Sequence, residues 1–329
     1  MLRYRTFRNS DPPVLTELWR SRAGQRSMSD SVSPDLLEQL VFAKPYFDYA
    51  GLILAHQDDR PVGFAHAGFG PNELRNGIST ALGVTCLVLV RPDCAEAEVA
   101  SGLLQQCEAY LGRRGAKVLH GGGIRPLNPF YLGLYGGSEL PGILESDPVA
   151  RELFDSHGYR QVDCTSIFRR KLTGFEVPID RLQMQIRRQM VVEVTQDAAT
   201  GNWWEACTIG DFDLTRFELV PRTGGAAVAS ATFRSMEPSG TTGAGRAAGL
   251  IDLRVDESLR RRGLAVFLLS EAFRQFLRQG IGLVEAQASQ HDIANLEMFK
   301  KLGFEQVGRG IAFQKPAEEK ILCKDRAPC

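Results

Sequence analysis

The chain has 329 residues, enough for two ordinary domains that each bury a core. Lysine plus arginine and aspartate plus glutamate both number 39, so the formal net charge is zero and no general affinity for nucleic acid or an anionic membrane is expected. Seven cysteines without a CxxC pair argue against a disulfide framework and a structural zinc site, and neither a signal-peptide core nor an apolar run of about 20 residues occurs, so a soluble cytoplasmic protein without a bound metal is expected.

Residues 2–7 are expected to form a first strand, and Ser10-Asp11-Pro12-Pro13 then opens a helix over 14–22, because proline in a first helical turn removes a donor that has no partner there. A second helix is predicted over 34–41. Residues 52–56 and 62–67 flank the polar turn Gln57-Asp58-Asp59-Arg60-Pro61 and read as a hairpin. The β-branched, leucine-rich run 80–90 is a strand, followed by a loop over 91–100 that carries Glu96 and Glu98, and by an apolar-faced helix over 101–111. Residues 121–146 are rich in glycine and aromatics, including Phe130, Tyr131 and Tyr135, without periodicity. A loop of that length is often functional, and its apolar content predicts packing against the sheet, the rest of the chain or a ligand cleft.

Residues 173–180, with Gly174 and Pro178, are expected to link a domain over 1–172 to one over 181–315, with a disordered tail over 316–329. In the second domain a strand over 190–195, a short helix over 202–207 and a hairpin of 215–221 with 226–234 precede a flexible Gly- and Thr-rich loop over 238–246. The connection between its first two strands is much shorter than in the first domain. A wall of its substrate site is therefore expected to come from the first domain. Of the adjacent Trp203 and Trp204, one is expected in the core and one at an interface, and Cys94 and Cys207 are expected as buried thiols.

The most informative stretch follows the strand 247–255. Val255-Asp-Glu-Ser-Leu-Arg260-Arg261-Arg262-Gly263-Leu264-Ala265 opens an apolar-faced helix over 266–278. A helix start offers backbone N–H groups without intrahelical partners and the positive end of the macrodipole, and both favour an anion. Gly263 allows close approach, and three arginines flanking it suit a pyrophosphate better than a single phosphate. A strand over 281–288 and a helix over 292–303 come next, the helix closed by Gly303 and followed by Phe304.

The pattern of 292–304 occurs earlier, at 147–159, at a constant offset of 145 (292 − 147): Asp, Glu, Leu or Met, Phe, and Gly followed by an aromatic residue coincide. Upstream, Val90 falls on Val255 and Glu98 falls on Gly263. The two halves therefore read as a tandem repeat. In the first copy the loop lacks the arginines and the glycine, and Glu96 and Glu98 should repel a pyrophosphate.

Arg-x-x-Gly-x-Ala with a valine five residues ahead, together with Phe299 four positions before Gly303 and Phe304 directly after it, resembles the GNAT family of N-acyltransferases. The resemblance implies an α/β (α+β) fold of two tandem GNAT-like modules, each a mixed, mostly antiparallel sheet with flanking helices. This layout is similar to that of mycothiol synthase. It implies acetyl-CoA as co-substrate, held in the second module by Leu253, Val255, Arg260, Arg261, Arg262, Gly263, Leu264, Ala265 and Asn295, with pantetheine in a splay between strands 247–255 and 281–288. A small-molecule or peptide amine would attack the thioester directly.

Two positions depart from the family pattern: Phe299 stands where a tyrosine often serves as acid, and Gly249 where a strand glutamate often serves as base. Candidate substitutes are Glu218, Asp252, Ser289 and His291. Strand alternation places Asp252, three residues from Gly249, on the other face, where an ion pair with a neighbouring arginine is its alternative role. The two losses also leave open a non-catalytic acyl-CoA-binding sensor or structural protein.

Overall fold

A computed structural model describes residues 1–22, 32–134, 137–177, 180–236 and 246–317. Tyr135, Pro178, most of the loop expected over 238–246 and the tail beyond Ala317 lie outside the described residues. The first half of the chain contains β1 (Leu2–Thr6), α1 (Pro12–Arg20), α2 (Pro34–Leu37) running into a π-helical turn (Glu38–Phe42), β2 (Leu52–Gln57), β3 (Arg60–Pro71), β4 (Ile78–Val90), α3 (Glu96–Arg113), β5 (Val118–Gly121), β6 (Ile143–Leu144), α4 (Pro148–Ser156) and β7 (Arg160–Lys171). The second half contains α5 (Arg181–Gln189), β8 (Met190–Gln196), α6 (Trp203–Ile209), β9 (Leu214–Pro221), β10 (Ala229–Met236), β11 (Arg246–Val255), α7 (Leu264–Arg278), β12 (Ile281–Ser289), α8 (Ile293–Lys301) and β13 (Glu305–Pro316).

Helix α3 begins at Glu96, within the stretch expected to be a loop. Glu96 and Glu98 occupy its first turn, where carboxylates complement the positive helix end, and Glu96 pairs with Arg22. Helix α5 was not anticipated. It is capped by Asp180, whose side chain accepts from Gln183 N, and it packs beside the start of α7.

All the strands join one sheet of 13, in the order β1-β2-β3-β4-β5-β13-β7-β12-β11-β10-β9-β8, with β6 on β13. The order is palindromic about the central pair. Among the described residues only β4 with β5 and β11 with β12 are parallel, each connected by the crossover helix α3 or α7. Strand β7 ends the first half yet hydrogen-bonds between β12 and β13, and β13 ends the second half yet pairs with β5. The stretch 173–180 is therefore not a break in the sheet. Leu172 N donates to Gly282 O at 2.9 Å, and Phe175 packs edge-on against Phe273 at 5.3 Å.

One apolar core joins α7, α8 and the sheet of the second half, a second lies under α3 and α4, and a third lies under α1 and α2 on the opposite face of the first half. Strands β4 and β11 each carry a bulge. Along β4 the pairing with β3 passes from Leu87 to Thr85 and skips Cys86, and along β11 the pairing with β10 passes from Asp252 to Leu250 and skips Ile251. The second bulge corrects the expectation for Asp252. Thr232 and Arg234 share a face of β10, and their partners are Asp252 and Gly249, so these two residues also share a face.

Candidate active site

Strands β11 and β12 pair from Arg246 to Gly249 against Ile281 to Glu285, and then part. Beyond that rung β11 bonds to β10 on its other side and β12 bonds to β7, so the edge of β11 from Ile251 to Val255 faces an opening without a strand partner. Leu253 and Val255 lie on this edge. Asp256 then caps a short turn through Ser258 N at 2.9 Å, and Arg261 and Gly263 adopt left-handed conformations with φ of 61° and 76°. Gly263 caps α7, and the first intrahelical bond is Phe267 N to Gly263 O at 3.0 Å, so the N–H groups of Leu264, Ala265 and Val266 have no partner within the helix.

Arg260, Arg261 and Arg262 are all exposed. Arg260 touches Val255 O and Glu257, an exposed pair that restrains it little. The strand opening thus runs into a cationic helix start. The equivalent start in the first half is internally neutralised: Arg22 is buried, donates to Val90 O at 2.6 Å and pairs with Glu96.

Of the remaining sequence candidates, Asp252 lies on the open stretch of β11, while the others sit on α8, on β9 and at or beyond the end of β12. Asn295 donates its side-chain amide to Asp292 at 2.7 Å, within the cap of α8. Phe299 is buried between Phe168 and Phe304, so its ring belongs to the core. Glu218 lies on β9, opposite Ser230 of β10, two strands away from β11. Ser289 donates to Asp163 at 2.9 Å, and His291 is exposed beyond it. Asp252 pairs with Arg254 at 2.9 Å.

The residues that do meet at the opening come from the unassigned segment 121–146. Gly137 and Ser138 lie over β11 and β12. Arg234, 3% exposed, donates through Nε to Ser138 O at 2.8 Å and through Nη2 to Gly137 O. Ser138 N donates to Glu285 Oε1 at 2.6 Å, and Arg169 Nε donates to Glu285 Oε2 at 2.9 Å. Gln287 Nε2 donates to Glu139 O at 2.7 Å. Arg125 Nη1 donates to the carbonyl of Ile251, at the bulge, and to Glu139 Oε1 at 3.2 Å. A Cβ on Gly249 would lie 2.8 Å from Ser138 Cα and from Met236 Sδ, so the inserted backbone occupies the space of a side chain there.

Burial pushes the carboxyl of Glu139 up to about 7; Arg125 and Arg234 oppose the shift and Asp252 adds to it. Burial likewise lowers Arg234 to about 10, against the attraction of Glu285 and Glu139. A cavity of about 260 Å³ reaches from Cys86 and Val88 of β4 to Glu139, Glu285 and Gln287. Sequence reasoning missed Arg125, Glu139, Arg169, Arg234 and Glu285. The available signal was a charge inside an apolar strand, as in Thr232-Phe-Arg234 and Val284-Glu285-Ala286.

Residues 187–304 match the model of the acetyltransferase (GNAT) family. No curated protein matches the sequence. Among solved structures, the chain is similar to a tandem GNAT protein from the clavulanic acid biosynthesis pathway, at 13% identity and a TM-score of 0.66, over 97% of this chain and 99% of that one. It is similar to the GCN5-related glucosamine N-acetyltransferase region of a fungal multi-domain GH3 β-N-acetylglucosaminidase, at 14% and 0.69, over 96% of this chain and 38% of that one. A GCN5-related N-acetyltransferase from Sphaerobacter thermophilus matches at 16% and 0.61, over 96% of both chains. At these identities the likeness is one of fold. The matched residues 187–304 hold the parted strands β11 and β12 and the helix start at Gly263, so the stretch that is similar to the acetyltransferase (GNAT) family is the one that forms the opening.

Proposed function

We propose that the protein is an acetyl-CoA-dependent N-acetyltransferase of two tandem GNAT-like modules, residues 1–172 and 181–315, with the co-substrate held in the second. The observation that carries this reading is the opening between β11 and β12 that runs into the exposed arginines and free N–H groups at Gly263. The palindromic strand order supports the tandem arrangement. So do the bulges at Cys86 and Ile251, whose separation of 165 residues (251 − 86) is also that of Val90 and Val255.

Arg260, Arg261, Arg262 and the N–H groups after Gly263 would hold the pyrophosphate, with Leu264 and Ala265 forming the first turn beneath it. Backbone groups of Leu253 and Val255 would pair with pantetheine amides. Asn295, which gives one amide N–H to Asp292, would meet pantetheine through its other N–H or its carbonyl oxygen. Acetyl-CoA supplies a thioester carbonyl, which a small-molecule or peptide amine attacks. The chain orients the two, and the open N–H groups of β11 stabilise the developing oxyanion.

Calorimetric titration of acetyl-CoA into the wild type and an Arg260→Glu/Arg262→Glu variant tests this reading. One site per chain is expected, weakened at least about tenfold in the variant, since one pyrophosphate loses two charge-assisted contacts and meets two carboxylates. Equal affinity in both proteins would overturn the assignment. Tight binding without thiol release across a panel of amines would favour an acyl-CoA-binding sensor, the reading to which the buried Phe299 and the covered Gly249 point.

A further inference from the structure

We infer that Glu139, carried by the first half of the chain, accepts the proton of the acceptor amine at the opening of the second half. The inference rests on the transferase reading above and deepens it. Its first ground is position. The last rung shared by β11 and β12 is Gly249 with Glu285, and Ile251 and Gln287 lie two residues beyond it on either side. Arg125 ties Ile251 O to the Glu139 carboxylate, and Gln287 holds Glu139 O at 2.7 Å. Glu139 therefore stands between the two strands where they part.

The second ground is what the neighbouring carboxylates already do. Glu285 is fully buried with one oxygen on Ser138 N and the other on Arg169. Asp252 is paired with Arg254, and Glu205 receives Gly201 N and faces Arg75 and Arg125, which hold its carboxyl below the usual range despite burial. Glu139 accepts from Arg125 through Oε1 alone among the described side chains. Its side chain is 21% exposed, so it is largely desolvated and still reachable. It also lines one end of the 260 Å³ cavity, whose other walls come from β4, β7, β12, β13 and residues 140–147.

The charged surroundings favour the task. Arg125 and Arg234 face Glu139 from the inserted segment and from β10, Asp252 faces it from β11, and the Arg169–Glu285 pair lies on β7 and β12. Burial and Asp252 outweigh the two arginines and bring the carboxyl to about 7, where a base is effective at neutral pH. In the reaction, an ammonium group gives one proton to the Glu139 carboxylate. The freed amine forms the C–N bond at the thioester carbon, and the C–S bond breaks with its electron pair on sulfur. The thiolate takes the second nitrogen proton, and Glu139 returns its own to solvent.

The test compares wild type, Glu139→Gln and Glu139→Asp in acetyl-CoA-dependent thiol release, with a primary alkylamine and with an arylamine that is already unprotonated at neutral pH. Glu139→Gln keeps the shape and the backbone contact to Gln287. Its acetyl-CoA affinity by calorimetry should stay within about twofold, while kcat/KM for the alkylamine falls by about 10²–10³-fold and the inflection near pH 7 disappears. The arylamine should lose far less, and Glu139→Asp should restore part of the alkylamine rate with a shifted inflection. An unchanged rate, a retained inflection, or equal losses with both amines would overturn the inference and leave the transferase reading intact. A wild type that binds acetyl-CoA and releases thiol to no amine would instead sink the transferase reading, and the assignment of Glu139 with it.

Discussion

Gly249 and Ser138 show how a single side-chain position is decided by a residue far away in sequence. Any Cβ at 249 would meet a backbone atom of Ser138 that cannot rotate away, in a segment pinned by Arg234 and Glu285. Gly249→Glu, which would install a carboxylate in the strand, should therefore destabilise the fold by about 1–3 kcal/mol through overpacking, read as a lower denaturation midpoint at unchanged slope. His66 gives a second prediction. It is fully buried, its Nδ1 lies 2.9 Å from Tyr131 Oη, its ring stacks on Phe130, and burial pushes its pKa down to about 3. An unfolded histidine protonates near 6.5, so below that pH the unfolded chain gains a proton that the native chain refuses. Stability is complete above about 6.5 and falls with acid by about 1.4 kcal/mol per pH unit until the native value is reached, or about 2 kcal/mol by pH 5. His66→Gln should remove that part of the difference between unfolding free energies measured at pH 7 and pH 5. An unchanged difference would mean that other groups carry the acid sensitivity.

At the level of elements, the same strand-to-helix connection serves opposite ends in the two halves. The β11–α7 connection exposes three arginines at a glycine cap, whereas the β4–α3 connection places Glu96 and Glu98 in the first turn and closes Glu96 onto Arg22. Glu98→Ala should leave acetyl-CoA at one site per chain with affinity within about twofold, because removing one carboxylate does not create the missing donors. Two sites in the variant would show that repulsion alone had silenced the first connection. The helix start at Gly263 was legible because its parts are adjacent in sequence: strand, arginines, glycine and apolar helix follow one another. The segment 121–146 was not, because its partners Arg234, Ile251, Glu285 and Gln287 are all more than 90 residues away and no periodicity points to them. The bulge at Ile251 was hidden for a related reason. An alternating pattern says nothing of an inserted residue, and so Asp252 was expected on the wrong face.

At the scale of the whole molecule, the sequence pattern that recurs at an offset of 145 (292 − 147) was visible but the strand exchange was not. A repeated sequence offers β7 and β13 two equivalent sets of neighbours, and pattern alone cannot choose between them. The structure places β7 between β12 and β13 and returns β13 to β5, so each half completes the sheet of the other. Separating the halves would break backbone pairing along both edges of β7 or along β13, and would uncover Phe168 and Phe313, which lie in different cores. Buried backbone groups without partners are costly, so the halves should not come apart while folded. Cutting the chain within 173–180 should then leave two fragments that co-elute on size exclusion and melt in one calorimetric transition, with calorimetric and van't Hoff enthalpies in agreement. Two transitions, or fragments that elute separately without denaturant, would show that the exchanged strands do not bind the halves into one folding unit. Glu139 could not then be held reliably at the opening it is proposed to serve, because its place depends on the first half staying docked to Arg234 and Gln287.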